Sequence, residues 1–295
     1  MGGEDDRLTR WQRMALKRMT KQARKRPGEP LGEEDWEAYF RFSAQPQSRA
    51  LKRMMRTLPA SPRCGFCGAP FSGWGSRLVR PLGYQPSRKN PAICATCVEL
   101  APPGGATMEV GVLFADLRGF TSASEGTAPA EVSARLRRFY AHAEKVLFPE
   151  ALIDKLIGDE VMALYLASLQ PHPGDDDANR RHLATVMVEH SLELLAAVGY
   201  GSSSGPEFEV GIGLDIGEAF VGNLGDSAVH DFTAVGDVVN TASRLQGEAA
   251  GGEVIISERV VALLDAPVGT AEQVRVKGKR EPLEVHRLAW SDPRA

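Results

Sequence analysis

The sequence predicts an α+β fold over its C-terminal two thirds, preceded by a small helical and cysteine-paired module. Three observations carry this. Apolar runs of strand length alternate with 3.6-residue periodicity in the order β, α, ββ, α, ββ, α, β, the pattern of a hairpin-built sheet with helices on one face. Charge is divided: residues 1–100 hold 19 Lys/Arg against 9 Asp/Glu, and residues 101–295 hold 16 against 29. All four cysteines of the chain fall in two C-x-x-C pairs within the first 100 residues.

Length and composition bound the rest. At 295 residues, 43% hydrophobic and 25% charged, the chain has material for one large or two modest domains with a sizeable core, which excludes wholesale disorder. No apolar run approaches the ~20 residues of a membrane span, and Met1 to Asp6 are too polar and acidic for a secretion signal. Four cysteines without an export signal argue for the reducing cytoplasm and against a disulfide scaffold. The expected organisation is a basic helical region over 1–60, a paired-cysteine module and linker over 61–104, and a larger α+β domain over 105–295. The breaker-rich 101–105 stretch marks the last boundary.

Residues 7–26 carry nine basic side chains and no acidic one, with Leu8, Trp11 and Ala15 on one helical stripe. Such a helix either packs its stripe on its own assembly or docks on an acidic partner or an anionic surface. Pro27 to Pro30 stop it, and shorter helices follow over 33–42 and 47–58. Cys64 with Cys67 and Cys94 with Cys97 then give two thiolate knuckles, enough for a tetrahedral four-sulfur site. The 26 residues between the pairs exceed the common spacing of about 15–20. Structural zinc is the expected occupant, an iron–sulfur cluster the alternative. No histidine lies nearby to suggest a catalytic metal.

In the C-terminal region, 110–115 reads as a strand and 129–148 as a helix with Leu136, Phe139, Tyr140 and Ala143 on its apolar face. Runs 152–157 and 161–166 form a hairpin around Gly158 and Asp159. An acidic cap, Asp175 to Asp177, opens a helix over about 176–198. Residues 208–216 and 219–221 read as a strand pair, 237–246 as a helix, and 254–256, 274–276 and 283–288 as closing strands. Gly211, Gly213 and Gly217 lack a following helix, so they mark close packing rather than a dinucleotide fingerprint.

Two carboxylates stand out. Asp116 ends an apolar strand before a glycine turn, and Asp159 sits at the tip of an apolar hairpin. Aspartates on neighbouring strand ends, beside a turn of free N–H groups, suit divalent cations and phosphate. The runs Phe114 to Thr121, Lys155 to Ala163, Gly211 to Gly213, Gly222 to Gly225 and Val235 to Arg244 together resemble the class III nucleotidyl cyclase catalytic domain over about residues 108–290.

That resemblance implies a ferredoxin-like βαββαβ core and the following roles. Asp116 and Asp159, with the Leu117 backbone, would hold two Mg²⁺ or Mn²⁺. Leu117, Arg118, Gly119, Phe120 and Thr121 would contact phosphates. Lys155 and Thr233 would read the base, Lys155 favouring adenine by donating to its N1 acceptor. Thr233 stands where many members have Asp. Asn240 would orient the ribose, Arg244 would stabilise the pentavalent transition state, and Lys277 or Lys279 would bind the triphosphate. The implied reaction is ATP to cyclic AMP and pyrophosphate. With one copy of every part, the chain would act as a head-to-tail homodimer with two equivalent sites, the arm over 223–232 reaching across it. The alternatives are a guanylate or pyrimidine nucleotide cyclase, a silent nucleotide sensor, or a zinc-ribbon nucleic-acid binder.

Overall fold

The computed structural model describes residues 54–291 except 56, 59–62, 65–66, 88–93, 100–103, 149, 167–175 and 225–230. The helices expected over 7–26 and 33–42 lie outside the described residues. Of the helix expected over 47–58, Met54, Met55 and Thr57 are described and helical. Packing divides the chain into two units. One holds Met108 and the residues before it together with Phe220–Val235; the other holds Glu109–Ala219 and Gly236 onward.

The first unit contains α1 (Gly73–Val79), a 3₁₀ turn (Arg80–Leu82) and α2 (Ala95–Glu99). Isolated bridges between Arg63 and Pro70, and between Pro86 and Cys94, tie the two cysteine knuckles into short antiparallel pairs. This unit also takes in β5 (Asp231–Val235), which pairs with Phe220 to Leu224 at the end of β4 (Val210–Leu224).

The second unit is the α+β domain that the strand–helix order predicts. β1 (Gly104–Leu117) enters it from the first unit; α3 (Phe120–Ser124), α4 (Pro129–Leu147), β2 (Leu152–Ile157), β3 (Glu160–Leu166) and α5 (Asp176–Ala197) follow. After β4 come α6 (Asp237–Glu248), β6 (Glu253–Ser257), α7 (Glu258–Val261), β7 (Thr270–Val274) and β8 (Leu283–Ala289). The sheet runs β2-β3-β1-β4-β6-β8-β7, with β5 attached to β4. Local chemistry explains the main helix. Pro129 starts α4, Glu131 sits in its first turn and Lys145 in its last, each matching the helix dipole. Its stripe of Phe139, Ala143 and Leu147 is fully buried.

Three expectations are corrected here. The closing strand expected over 274–276 is β7, at Thr270–Val274, and residues 275–276 lie outside it. The strand pair expected over 208–216 and 219–221 is one continuous strand, β4; Gly217 is not among the positive-φ glycines, so no turn forms there, and β4 finds its hairpin partner in β5. Helices also cover both faces of the sheet, not one. Leu113, Ala115, Ile212, Leu214, Val254 and Ile256 share a core with α4 and α5, whereas Ile255 and Val285, of opposite parity, pack with Leu245 of α6 and with Ala249 just after it. The cause is glycine on β4. A Cβ at Gly213 would lie 2.2 Å from the Gln246 nitrogen and 2.3 Å from the Ala242 oxygen, so the α6 backbone rests directly on the strand.

Gly213→Ala is therefore expected to lower stability by about 1–3 kcal/mol through overpacking. Gly247→Ala, on the same helix with nothing within 4 Å of the added carbon, should be neutral or stabilising. Thermal midpoints of the two variants decide this; equal midpoints would mean α6 does not bear on the strand.

Candidate active site

The hairpin register places the acidic residues. Asp116 pairs with Glu160 across β1 and β3, and the turn Gly158–Asp159 joins β3 to β2. Burial, then the nearby Asp159 charge, push the Asp116 carboxyl above its ordinary range, against the opposing pull of Arg118 and Gln246. Glu160 is raised for the same reasons, burial first and then Asp116 and Asp159. Three carboxylates thus crowd one strand end.

Arg118 is their one close cation among the described ion pairs, 3.5 Å from Asp116. Its guanidinium crosses Gly211, where a Cβ would fall 2.3 Å from it, and donates to the Gln246 carbonyl of α6. Arg118 Nε and Gln246 Nε2 are buried without a hydrogen-bond acceptor. The Tyr140 hydroxyl donates to the Gly158 carbonyl and so braces the turn that carries Asp159. Burial and the Asp159 charge both raise the Tyr140 pKa. One arginine against three carboxylates leaves an excess of hard oxygen donors, the set that Mg²⁺ or Mn²⁺ takes. The residues fit such ions.

The phosphate-side loop follows directly. Leu117 ends β1, Gly119 takes a left-handed φ of 67° as the N-cap of α3, and Phe120 begins the helix, so the first-turn N–H groups have no intrahelical acceptor. The Thr121 side chain lies outside the described residues. Lys155 pairs with Met162, which pairs with Phe114; directly opposed residues point to one side, so Lys155 shares a face with Asp116.

Asn240 is exposed and Arg244 partly exposed on α6, and neither forms a hydrogen bond or ion pair with Asp116 or Asp159 among the described residues. Thr233 is buried on β5 opposite Gly222, within the first unit. Lys279 is held by both Asp237 carboxylate oxygens at 2.6 Å, whereas Lys277 is exposed. Sequence reasoning missed Glu160, Tyr140, Gln246 and Asp237. The adjacency of Glu160 to Asp159 was the available signal for the first; the other three are brought in only by packing.

The first unit holds a second cluster. The Sγ atoms of Cys64, Cys67, Cys94 and Cys97 all lie within 4.8 Å of one another, and Cys67 and Cys94 are 3.6 Å apart. Four sulfurs at about 2.3 Å from a tetrahedral ion would stand about 3.8 Å apart. The Cys67 and Cys94 backbone N–H groups point at Cys64 Sγ, at 3.5 and 3.2 Å. Burial raises the Cys64 thiol, but hydrogen bonds from Cys67, Cys94 and Cys97 outweigh it and hold the thiol well below its usual range. Burial pushes Cys94 well above that range, and hydrogen bonding to Cys64 raises Cys97. Cys64 ionises readily while Cys94 and Cys97 resist, so a cation is what would let the cluster carry its full set of thiolates.

Carboxylates gathered at one strand end, beside a glycine turn opening a helix, are what a two-metal phosphoryl-transfer centre requires. The adenylate and guanylate cyclase catalytic-domain family matches residues 105–289, and the chain belongs to that family. It is 31% identical over 210 residues to the adenylate cyclase of Anabaena cylindrica, an alignment covering 64% of this chain and 40% of that protein. It is 34% identical over 188 residues to adenylate cyclase 1 of Rhizobium meliloti (strain 1021), covering 61% and 27%. The chain thus spans less than half the length of these relatives. Among solved structures, the guanylyl cyclase Cya2 superposes with a TM-score of 0.51 at 29% identity, over 62% of this chain and 93% of that one. The adenylyl cyclase CyaB from P. aeruginosa superposes with 0.53 at 25% identity, over 64% and 97%. The class III cyclase core is thereby established. No helix among the described residues is long and apolar enough to cross a membrane.

Proposed function

We propose that this chain is an adenylate cyclase that converts ATP to 3′,5′-cyclic AMP and pyrophosphate. The observation that carries the reading is the convergence of Asp116 and Asp159 on one strand end, where burial and the Asp159 charge raise the cost of ionising Asp116. Divalent cations bound there would lower the pKa of the ribose 3′-hydroxyl and neutralise triphosphate charge. The chain's own residues do the rest. The N–H groups from Gly119 onward hold phosphate oxygens, the Arg118 N–H being taken by the Glu209 carbonyl, and Leu117, Arg118, Gly119, Phe120 and Thr121 form the turn. Asn240 orients the ribose, Arg244 meets the charge that builds as O3′ approaches the α-phosphorus and the bond to pyrophosphate breaks, and Lys277 holds the triphosphate. Lys279 is already engaged by Asp237, which favours Lys277 for that task.

Lys155 and Thr233 supply base selection, and the adenine reading rests on Lys155 as a donor and on the two named adenylate cyclases. The 29% identity to a guanylyl cyclase favours GTP as the second reading. We also propose a head-to-tail homodimer in which one protomer supplies the cation site and its partner the ribose and transition-state residues, an arrangement in which Asn240 and Arg244 need no contact with Asp116 or Asp159 of their own chain. The four-cysteine cluster supports structural zinc, over an iron–sulfur cluster.

The test is to incubate the full chain with Mn²⁺ and each of ATP, GTP, CTP and UTP and to identify products by mass spectrometry. Cyclic AMP as the main product is expected. Cyclic GMP or a cyclic pyrimidine nucleotide would overturn the base assignment; no cyclic product from a dimer in solution would overturn the enzyme reading in favour of a sensor.

A further inference from the structure

A chain of charged groups fixes the helix that carries Asn240 and Arg244. It begins at Asp215, fully buried on β4, whose Oδ1 accepts from the Ser257 hydroxyl at 2.7 Å, from Arg259 Nε at 3.0 Å and from the Ile216 N–H at 2.9 Å. Arg259 makes a second contact to Asp215 through Nη2, giving the two-pronged pairing that sets a guanidinium in one orientation. The same Nη2 lies 4.0 Å from Asp237, the first residue of α6. Asp237 in turn holds Lys279 through both carboxylate oxygens at 2.6 Å and accepts from the Thr241 hydroxyl at 3.5 Å.

The helical spacing gives this chain its meaning. Asp237, Asn240 and Arg244 stand at i, i+3 and i+7, so they share one face of α6. Between Lys277 and Lys279 lies Gly278, at a φ of 82° that disfavours any side chain, and the Arg244 guanidinium rests against it: a Cβ there would fall 3.0 Å from Nη2. One end of the helix face therefore clasps the residue after Gly278, and the other end lies over Gly278 itself. Lys277, on the far side of the glycine, is left exposed.

We propose that Asp237 is a positioning residue: by clasping Lys279, and braced through Arg259 by buried Asp215, it sets the Lys277–Lys279 loop against Arg244 so that Lys277 and Arg244 meet one triphosphate together. This rests on the cyclase reading above and assigns Lys279 to the loop's architecture instead of to the substrate. The Asp237 side chain is 62% exposed, so solvent weakens the clasp and the effect is moderate.

The test uses the full chain with Asp237→Asn, Lys279→Met, the double variant and Asp237→Glu. Mn²⁺-dependent turnover is read alongside the affinity for α,β-methylene-ATP, which binds but cannot cyclise. Each single variant is expected to weaken analogue binding and raise KM about 5- to 10-fold, with kcat falling less. The double variant should lose no more than either single, because both remove one contact. Asp237→Glu should recover most of the loss, and far-UV circular dichroism should be unchanged throughout. Single variants that bind and turn over like the parent, or losses that multiply in the double variant, overturn the clasp. A parent chain that binds the analogue, with the expected variant effects, but forms no cyclic product would leave the clasp standing and remove the cyclase reading. A parent that does not bind the analogue removes both.

Discussion

Asp116→Asn is expected to abolish cyclic nucleotide formation, by about 10³-fold or more, while the protein remains folded and at least as stable as the parent. The first half follows from the cation site. Asp116 and Asp159 are the two carboxylates that would share the ions, and losing some 4 kcal/mol of transition-state stabilisation corresponds to about a thousandfold in rate. The second half follows from electrostatics. Asp116 is half-buried and repelled by Asp159, so its charge costs free energy in the absence of cations. Asparagine keeps its shape and removes the repulsion, and Arg118 keeps its contact with the Gln246 carbonyl. The measurements are product formation, Mn²⁺ binding and the thermal midpoint without added metal. Retained turnover would remove Asp116 from the site; lost turnover with a falling midpoint would make its role structural.

Metal removal from the first unit should have the other large effect. The purified chain is expected to carry one zinc ion on Cys64, Cys67, Cys94 and Cys97, and Cys94→Ser should reduce that stoichiometry towards zero. Structural zinc at such thiolate sites contributes on the order of 10–16 kcal/mol of apparent free energy at neutral pH, far more than a module with two short helices gains from its own core. Cys64 and Cys94 are fully buried, so thiols freed by chelation should become reactive only as the surrounding fold opens. Elemental analysis, and protease sensitivity of residues 63–99 before and after chelation, check this. Iron with acid-labile sulfide would substitute a cluster for zinc. Four thiols that titrate at once in the native, metal-replete protein would show that no ion is held.

Much of the catalytic domain was legible because its elements are locally encoded. α4 begins at a proline and runs on a buried stripe, α5 begins at Asp176 within the acidic run of the sequence, and the β2–β3 hairpin turns at Gly158; each boundary came from chemistry within a few residues. The cysteine cluster was equally plain, since two C-x-x-C pairs have few other uses. Expectation failed where a glycine had to be interpreted. The gap at Gly217 between two expected strands read as a turn but lies within one extended strand, whereas Gly213, read as close packing, does pack closely, against the backbone of a helix.

The candidate site shows the same division. The sequence by itself placed Asp116 and Asp159 at strand ends, because alternation along a strand is a property of the local chain, and its resemblance to the class III cyclases singled out Lys155, Asn240 and Arg244. Only the tertiary structure decided which face α6 occupies, that Glu160 joins the aspartates through strand register, and that Asp237 takes Lys279 and leaves Lys277 outward. These depend on pairings between residues tens of positions apart, such as Asp237 with Lys279 and Arg118 with Gln246. Such pairings arise from the packing of elements that leave no mark in any one stretch of sequence.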